Sequence, residues 1–158
     1  MANNLSNFSP LTPVAFACYF VMSAMLAPMG ILAPEMARHF DHSLTDVTRT
    51  FSALTIGNLV GAACATVVLT IWNLRSVLLS TYATLGVSLL LLGSMNRLEY
   101  VGAILGLVGF GCGVGLAAAA VLITSRFSAS KKASMLILTD ACFSVAGFLI
   151  SWIATSLM

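Results

Sequence analysis

Apolar and polar positions divide this chain into five long apolar runs with polar breaks between them, at about 13–33, 51–72, 77–95, 101–124 and 135–157. None alternates with a period of two. Each is close to the ~20 residues that a helix needs to cross the hydrocarbon core, whereas a barrel strand takes about 9–11. The pattern therefore predicts five membrane-spanning helices. Pro13 suits a first helical turn, where its missing N–H costs nothing. Pro28-Met29-Gly30, inside the first run, predicts a kink.

The breaks differ in kind. The stretch 34–50 carries Glu35, Arg38, His39, Asp41, His42, Asp46 and Arg49 and is expected as an external loop in water, with Ser43 capping the helix that follows it. Asn73-Leu74-Arg75-Ser76 is a very short turn, and Asn96 to Tyr100 makes another. The stretch 125–134, with Arg126, Lys131 and Lys132, is expected as a cytoplasmic loop. Basic residues favour the cytoplasmic side. Arg75, Arg126, Lys131 and Lys132 lie on one side, against Arg38, Arg49 and Arg97, mixed with acids, on the other. This places the N-terminus in the cytoplasm.

Composition agrees with the pattern. Hydrophobic residues make up 59% of the 158 positions and charged residues 8%, with a mean hydropathy of +1.03. A water-soluble domain is about one quarter charged, so lipid must solvate most of this surface. In lipid every backbone amide must be satisfied internally, which helices do. The fold class is an all-α, polytopic transmembrane bundle forming a single domain over 1–158.

Other chemistry is sparse. The N-terminal dozen residues carry no Lys or Arg, so the first run reads as a retained span and not a cleaved signal. Cys18, Cys64, Cys112 and Cys142 all fall in apolar runs without C-x-x-C spacing and read as small buried hydrophobes. His39 and His42 lack a third ligand. No metal site or cofactor is implied, and a net charge of +2, dispersed along the chain, implies no nucleic-acid partner. No nucleophile–base pair, phosphate loop or H-E-x-x-H motif occurs, so the chain is not expected to be an enzyme.

Small residues let transmembrane helices approach closely. Gly102/Gly106 and Gly109/Gly113 in the fourth run, and Gly57/Gly61 in the second, have the four-residue spacing of such contacts. They are the candidate packing residues. Polar side chains also fall at helical spacing. Asp140, Ser144, Gly147, Ser151 and Thr155 share one face of the fifth run, and Thr55, Asn58, Ala62 and Thr66 one face of the second. With Tyr19 and Ser23 of the first run, Thr55, Asn58 and Ser144 are candidates to line a cavity or an interface between halves. Asp140 is the ionisable residue deepest in any run. A carboxyl at depth costs a few kcal/mol. It is read either as half of a structural ion pair with Arg75, Arg126 or a loop lysine, or as a group coupling protons or substrate.

Together these features resemble the N-terminal portion of a major facilitator superfamily transporter. The long break after span one, the short basic turn after span two, the glycine-rich span four and the basic loop before span five carry the resemblance. Its most specific part runs from Gly109-x3-Gly113 through Leu122-Ile123-Thr124 to Thr139-Asp140-x2-Phe143-Ser144-x-Ala146-Gly147, which is similar to the TsgA-like members near the fucose permeases. The resemblance implies two six-helix halves rocking about a central solute site. It also implies that spans one and four line the cavity, while two and five face the other half. The sequence departs from the superfamily pattern in the turn Asn73 to Ser76, in having Gly109 where an arginine is common, and in having no acid in span one.

The last run ends at the chain's end, so the chain reads as an incomplete six-helix half. The expectation is a portion of a secondary transporter in a bacterial inner membrane, moving a small solute, with the bilayer and a missing C-terminal half or partner subunit as its partners. The alternative is a small non-transporting membrane accessory or assembly subunit.

Overall fold

A computed structural model describes residues 12–157; the segment 1–11, Met158 and the side chains of Thr12 and Arg126 lie outside the described residues. The described chain is all helical: α1 (Thr12–Leu26), α2 (Met29–Phe40), α3 (Leu44–Ile71), α4 (Leu74–Leu92), α5 (Leu98–Arg126) and α6 (Ala129–Leu157). Four of them, α3 to α6, are long and apolar enough to cross a membrane, and α1 with α2 passes the same test when the pair, bent by 41°, is taken as one broken span. This is an integral membrane protein.

The bend falls where Pro28 interrupts the first span. Ala27 still donates to the Ser23 carbonyl, and the Pro28 carbonyl then starts α2 by accepting from both Ile31 and Leu32. Pro28 cannot donate the hydrogen bond that would join the two segments.

Two expected loops are mostly helix. Within 34–50, α2 continues to Phe40 and α3 begins at Leu44, leaving Asp41-His42-Ser43 as the connection. The charge density suggested a solvated loop, but its spacing is amphipathic. Glu35 and Arg38 lie one turn apart and pair on the outer face, Arg38 Nη2 to Glu35 Oε1 at 2.6 Å. Ala33, Met36 and Phe40 instead pack on Val47, Phe51 and Leu98. Asp41 ends α2 in the left-handed conformation with φ 53°. Ser43 then caps α3, its hydroxyl accepting from the Asp46 amide at 3.2 Å. Likewise the expected loop 125–134 shrinks to Phe127-Ser128, because α6 starts at Ala129 and carries Lys131 and Lys132 in its first turn.

The core is organised around α5, which packs on α1, α3, α4 and α6. Its contact with α3 is a backbone-to-backbone approach. A Cβ on Gly57 would collide with the Gly106 carbonyl, one on Gly61 with the Phe110 carbonyl, one on Gly109 with the Leu54 carbonyl and one on Gly113 with the Asn58 carbonyl. Gly102 meets the Thr50 side chain, with 3.5 Å between a built Cβ and its methyl carbon. With no side chains between them, the two helices gain dispersion along their whole shared length, which in lipid is the main attraction available. On the other side of α5, Cys18 and Met22 of α1 and Thr81 of α4 converge on Gly115, and Cys18 Sγ donates to the Gly115 carbonyl at 3.5 Å. The helix α6 packs chiefly on α1, and α3 and α4 touch each other little, each leaning on α5.

Candidate functional site

The bundle leaves faces of α3, α4 and α6 uncovered, and those of α3 and α6 carry the polar stripes. Along α6, Asp140, Ser144 and Thr155 are exposed and Ser151 is half-buried. Along α3, Thr55 and Thr66 are exposed and Asn58 is half-buried. Most of these hydroxyls are internally satisfied: Ser144 donates to the Asp140 carbonyl at 3.0 Å, Thr155 to Ser151 at 2.8 Å and Thr66 to Ala63 at 2.7 Å. The Thr55 hydroxyl reaches the Phe51 carbonyl at 3.4 Å. Such back-bonding hides a hydroxyl in an apolar setting. A carboxylate has no donor to turn back, so Asp140 stands apart from the rest of its stripe.

The extra helical length changes the position of Asp140. It lies eight residues beyond Lys132, roughly 12 Å along the axis at about 1.5 Å per residue. Among the described residues the one ion pair is Arg38–Glu35, so Asp140 is joined to neither Arg75 nor the α6 lysines. The side chain of Arg126 is outside the described residues. Arg75 is exposed in the first turn of α4, and α4 and α6 do not pack together. The lysines point from the first turn of α6, two turns away.

Tyr19 and Ser23 are placed differently from the expectation that they line a cavity or half-interface. Both are buried, 8% and 1% exposed, inside the α1–α6 contact. The Ser23 hydroxyl donates to the main-chain carbonyl of Phe143. Gly147 faces the same contact, since a Cβ there would stand 2.9 Å from Ser23 Oγ and 3.3 Å from Ala27 Cβ. Small residues on both helices draw α1 and α6 together and so close over Ser23. Tyr19 nevertheless connects with the stripe, its hydroxyl lying beside Thr139 and within electrostatic reach of Asp140. Thr139, fully buried, was absent from the candidate lining residues. Its signal was its spacing, four before Phe143 and seven before buried Ala146, which marks the α1-facing side of α6.

Among the described residues, no group of three or more His, Cys, Asp or Glu is gathered as a metal ion would require. Two lateral hollows are mainly apolar. One, of about 310 Å³, lies between α3, α4 and α5; the other, of about 400 Å³, lies beside the Pro28 bend, against α4 and α5.

The arrangement can be set beside known proteins. A Protein TsgA homolog of Buchnera aphidicola is 28% identical over 146 residues, covering 92% of this chain and 38% of the relative. Protein TsgA of Escherichia coli is 27% identical over 158 residues, covering 97% of this chain and 39% of the relative. The Citrobacter koseri homolog gives 26% with the same coverage. The chain is similar to TsgA. It spans about two fifths of the length of these curated relatives. No family model matches it, and no solved structure gives a significant match.

Proposed function

We propose that this chain is the N-terminal portion of a major facilitator-type secondary transporter, moving a small solute by alternating access. The observation that carries the reading is the uncovered polar stripe of α6, headed by Asp140, on a helix otherwise apolar enough to span a bilayer. A carboxyl facing hydrocarbon is unfavourable, so the stripe calls for a water-filled path or a second helical bundle against it. The α3 face that carries Thr55 and Thr66 is uncovered as well, with both hydroxyls turned back on their own helix. The similarity to TsgA over nearly all of this chain supports the reading. Asp140 is then the group that couples protons or contacts solute. The N-terminus is cytoplasmic, with Arg75, Arg126, Lys131 and Lys132 on that side, in a bacterial inner membrane.

The test is uptake of a panel of small labelled solutes into proteoliposomes containing the protein from the whole reading frame, against empty vesicles. Uptake of one of them, reduced by Asp140→Asn, is the expected result. Uptake equal to empty vesicles, together with a stable hetero-complex, would instead favour an accessory subunit that uses the α3 and α6 faces for docking.

A further inference from the structure

The hollow between α3, α4 and α5 has a feature that the transport reading does not use. Ile71 at the end of α3 and Trp72 just after it, Ser80 and Thr84 on α4, and Phe110 and Val114 on α5 line a partly open space of about 310 Å³. Arg75, in the first turn of α4, falls in the chain between two of the lining residues, Trp72 and Val77. Arg75 is exposed, and the one ion pair among the described residues is elsewhere. The nearest acids along the chain are Asp46 and Glu99, each in the first turn of a helix that has its other end here. An exposed cation without a carboxylate thus lies one helical turn or less along the chain from the residues that wall an apolar slot. Trp72, 56% exposed, stands beside it, the residue type that settles at the headgroup level of a bilayer.

We propose that this groove is a binding site for an anionic phospholipid, with the phosphate at Arg75 and one acyl chain between α3 and α4. The charge selects the lipid class, because an anionic headgroup supplies the counter-charge that the protein does not. The depths agree as well. Ser80 lies five residues beyond Arg75, roughly 7.5 Å deeper at about 1.5 Å per residue, in the region of a lipid's glycerol esters. Its hydroxyl donates to the Val77 carbonyl at 2.9 Å, so it presents little unmet polarity to the chain passing it. Below it the walls are apolar apart from the hydroxyls of Thr81 and Thr84. The α3–α4 pair provides the slot because the two helices pack on α5 and not on each other. On the proposed orientation the site faces the cytoplasmic leaflet, where anionic lipid attracts basic residues.

In the protein from the whole reading frame, Trp152 and any tryptophan outside these 158 residues are replaced by phenylalanine, which leaves Trp72 as the reporter. The experiment measures Trp72 fluorescence in bilayers containing lipid brominated on its acyl chains, either phosphatidylglycerol or phosphatidylcholine at equal mole fraction. Quenching should favour the anionic lipid by about fivefold in relative association, the amount one basic residue near an anionic surface supplies. That preference should fall as salt is raised, and should disappear in Arg75→Gln. Ser80→Phe, which fills the slot without touching the charge, should lower the anionic quenching while circular dichroism keeps its helical signal. Equal quenching by the two lipids would mean ordinary annular lipid and overturn the proposal. So would a preference that survives Arg75→Gln, or a Trp72 that neither lipid quenches, which would mean that protein covers the groove.

Discussion

The Ser23 hydroxyl on α1 donates to the main-chain carbonyl of Phe143 on α6, joining positions 120 residues apart in the chain. It ties the first crossing to the last, and it does so at a place where both helices are thin, with Gly147 one turn below. Removing the donor leaves a carbonyl that still has its intrahelical partner, so the loss is modest. Ser23→Ala should cost about 0.6 kcal/mol, and at most about 1.7, the range found for hydrogen bonds between membrane helices. Gly147→Val should cost more, because its Cβ would stand 2.9 Å from Ser23 Oγ and 3.3 Å from Ala27 Cβ. Thr155→Ala, whose exposed hydroxyl bonds within its own helix, should change little. Unfolding in mixed micelles ranks the three, and Thr155→Ala as costly as Gly147→Val would contradict the packing.

The α3–α5 contact gives a sharper prediction. Gly57→Ala and Gly109→Ala each place a Cβ against a backbone carbonyl, of Gly106 and of Leu54 respectively, which cannot swing aside. Each should destabilise the fold by about 1–3 kcal/mol, the usual cost of overpacking a filled contact. Gly86 on α4 has nothing within 4 Å of its Cβ position. Gly86→Ala should therefore leave stability unchanged, or raise it by up to about 1 kcal/mol through helix propensity. Similar effects at all three positions would mean that α3 and α5 stand further apart.

These contacts also indicate what could be read in advance. The four-residue spacing of Gly57/Gly61 and Gly109/Gly113 identifies contact faces, since in lipid a bare helix face gains only by meeting another helix. Spacing alone does not name the partner, and that α3 meets α5 while α1 meets α6 depends on contacts remote in sequence. Ser23 illustrates the difficulty. As a polar residue on an apolar span it suits a cavity wall, yet the lack of bulk at Gly147 lets α6 close over it. The segment 34–50 misleads for another reason. Its charges outweigh its periodicity in a simple hydropathy reading, whereas Ala33, Met36 and Phe40 recur at helical spacing and hold α2 onto Val47 and Leu98.

The four cysteines offer an independent check on which faces are closed. Cys18 and Cys112 are fully buried around α5, while Cys64 and Cys142 are half-buried on α3 and α6. In mild detergent a membrane-permeant maleimide should label Cys64 and Cys142 well before the other two, by mass spectrometry of the peptides. In denaturant all four should react alike. Early labelling of Cys18 would mean that α1 does not sit against Gly115 as described.

Asp140 sets stability against function, and the two can be separated. A carboxyl near the middle of a spanning helix costs about 2.5–3.5 kcal/mol on insertion scales, and it is not offset here by an ion pair among the described residues. Asp140→Leu should therefore stabilise the isolated chain in a bilayer. Under the proposed function the same change in the protein from the whole reading frame, and also Asp140→Asn, should lower solute uptake by about tenfold or more, because the carboxyl would then serve a pathway and not the fold. Ser144→Ala is the matched control. Its hydroxyl already donates to the Asp140 carbonyl at 3.0 Å and offers little to a passing solute, so uptake should stay close to that of the parent. The comparison needs protein levels measured beside transport in the same vesicles. If uptake follows protein level across all three variants, and Asp140→Leu unfolds more readily than the parent, then Asp140 holds the bundle together and the coupling role falls.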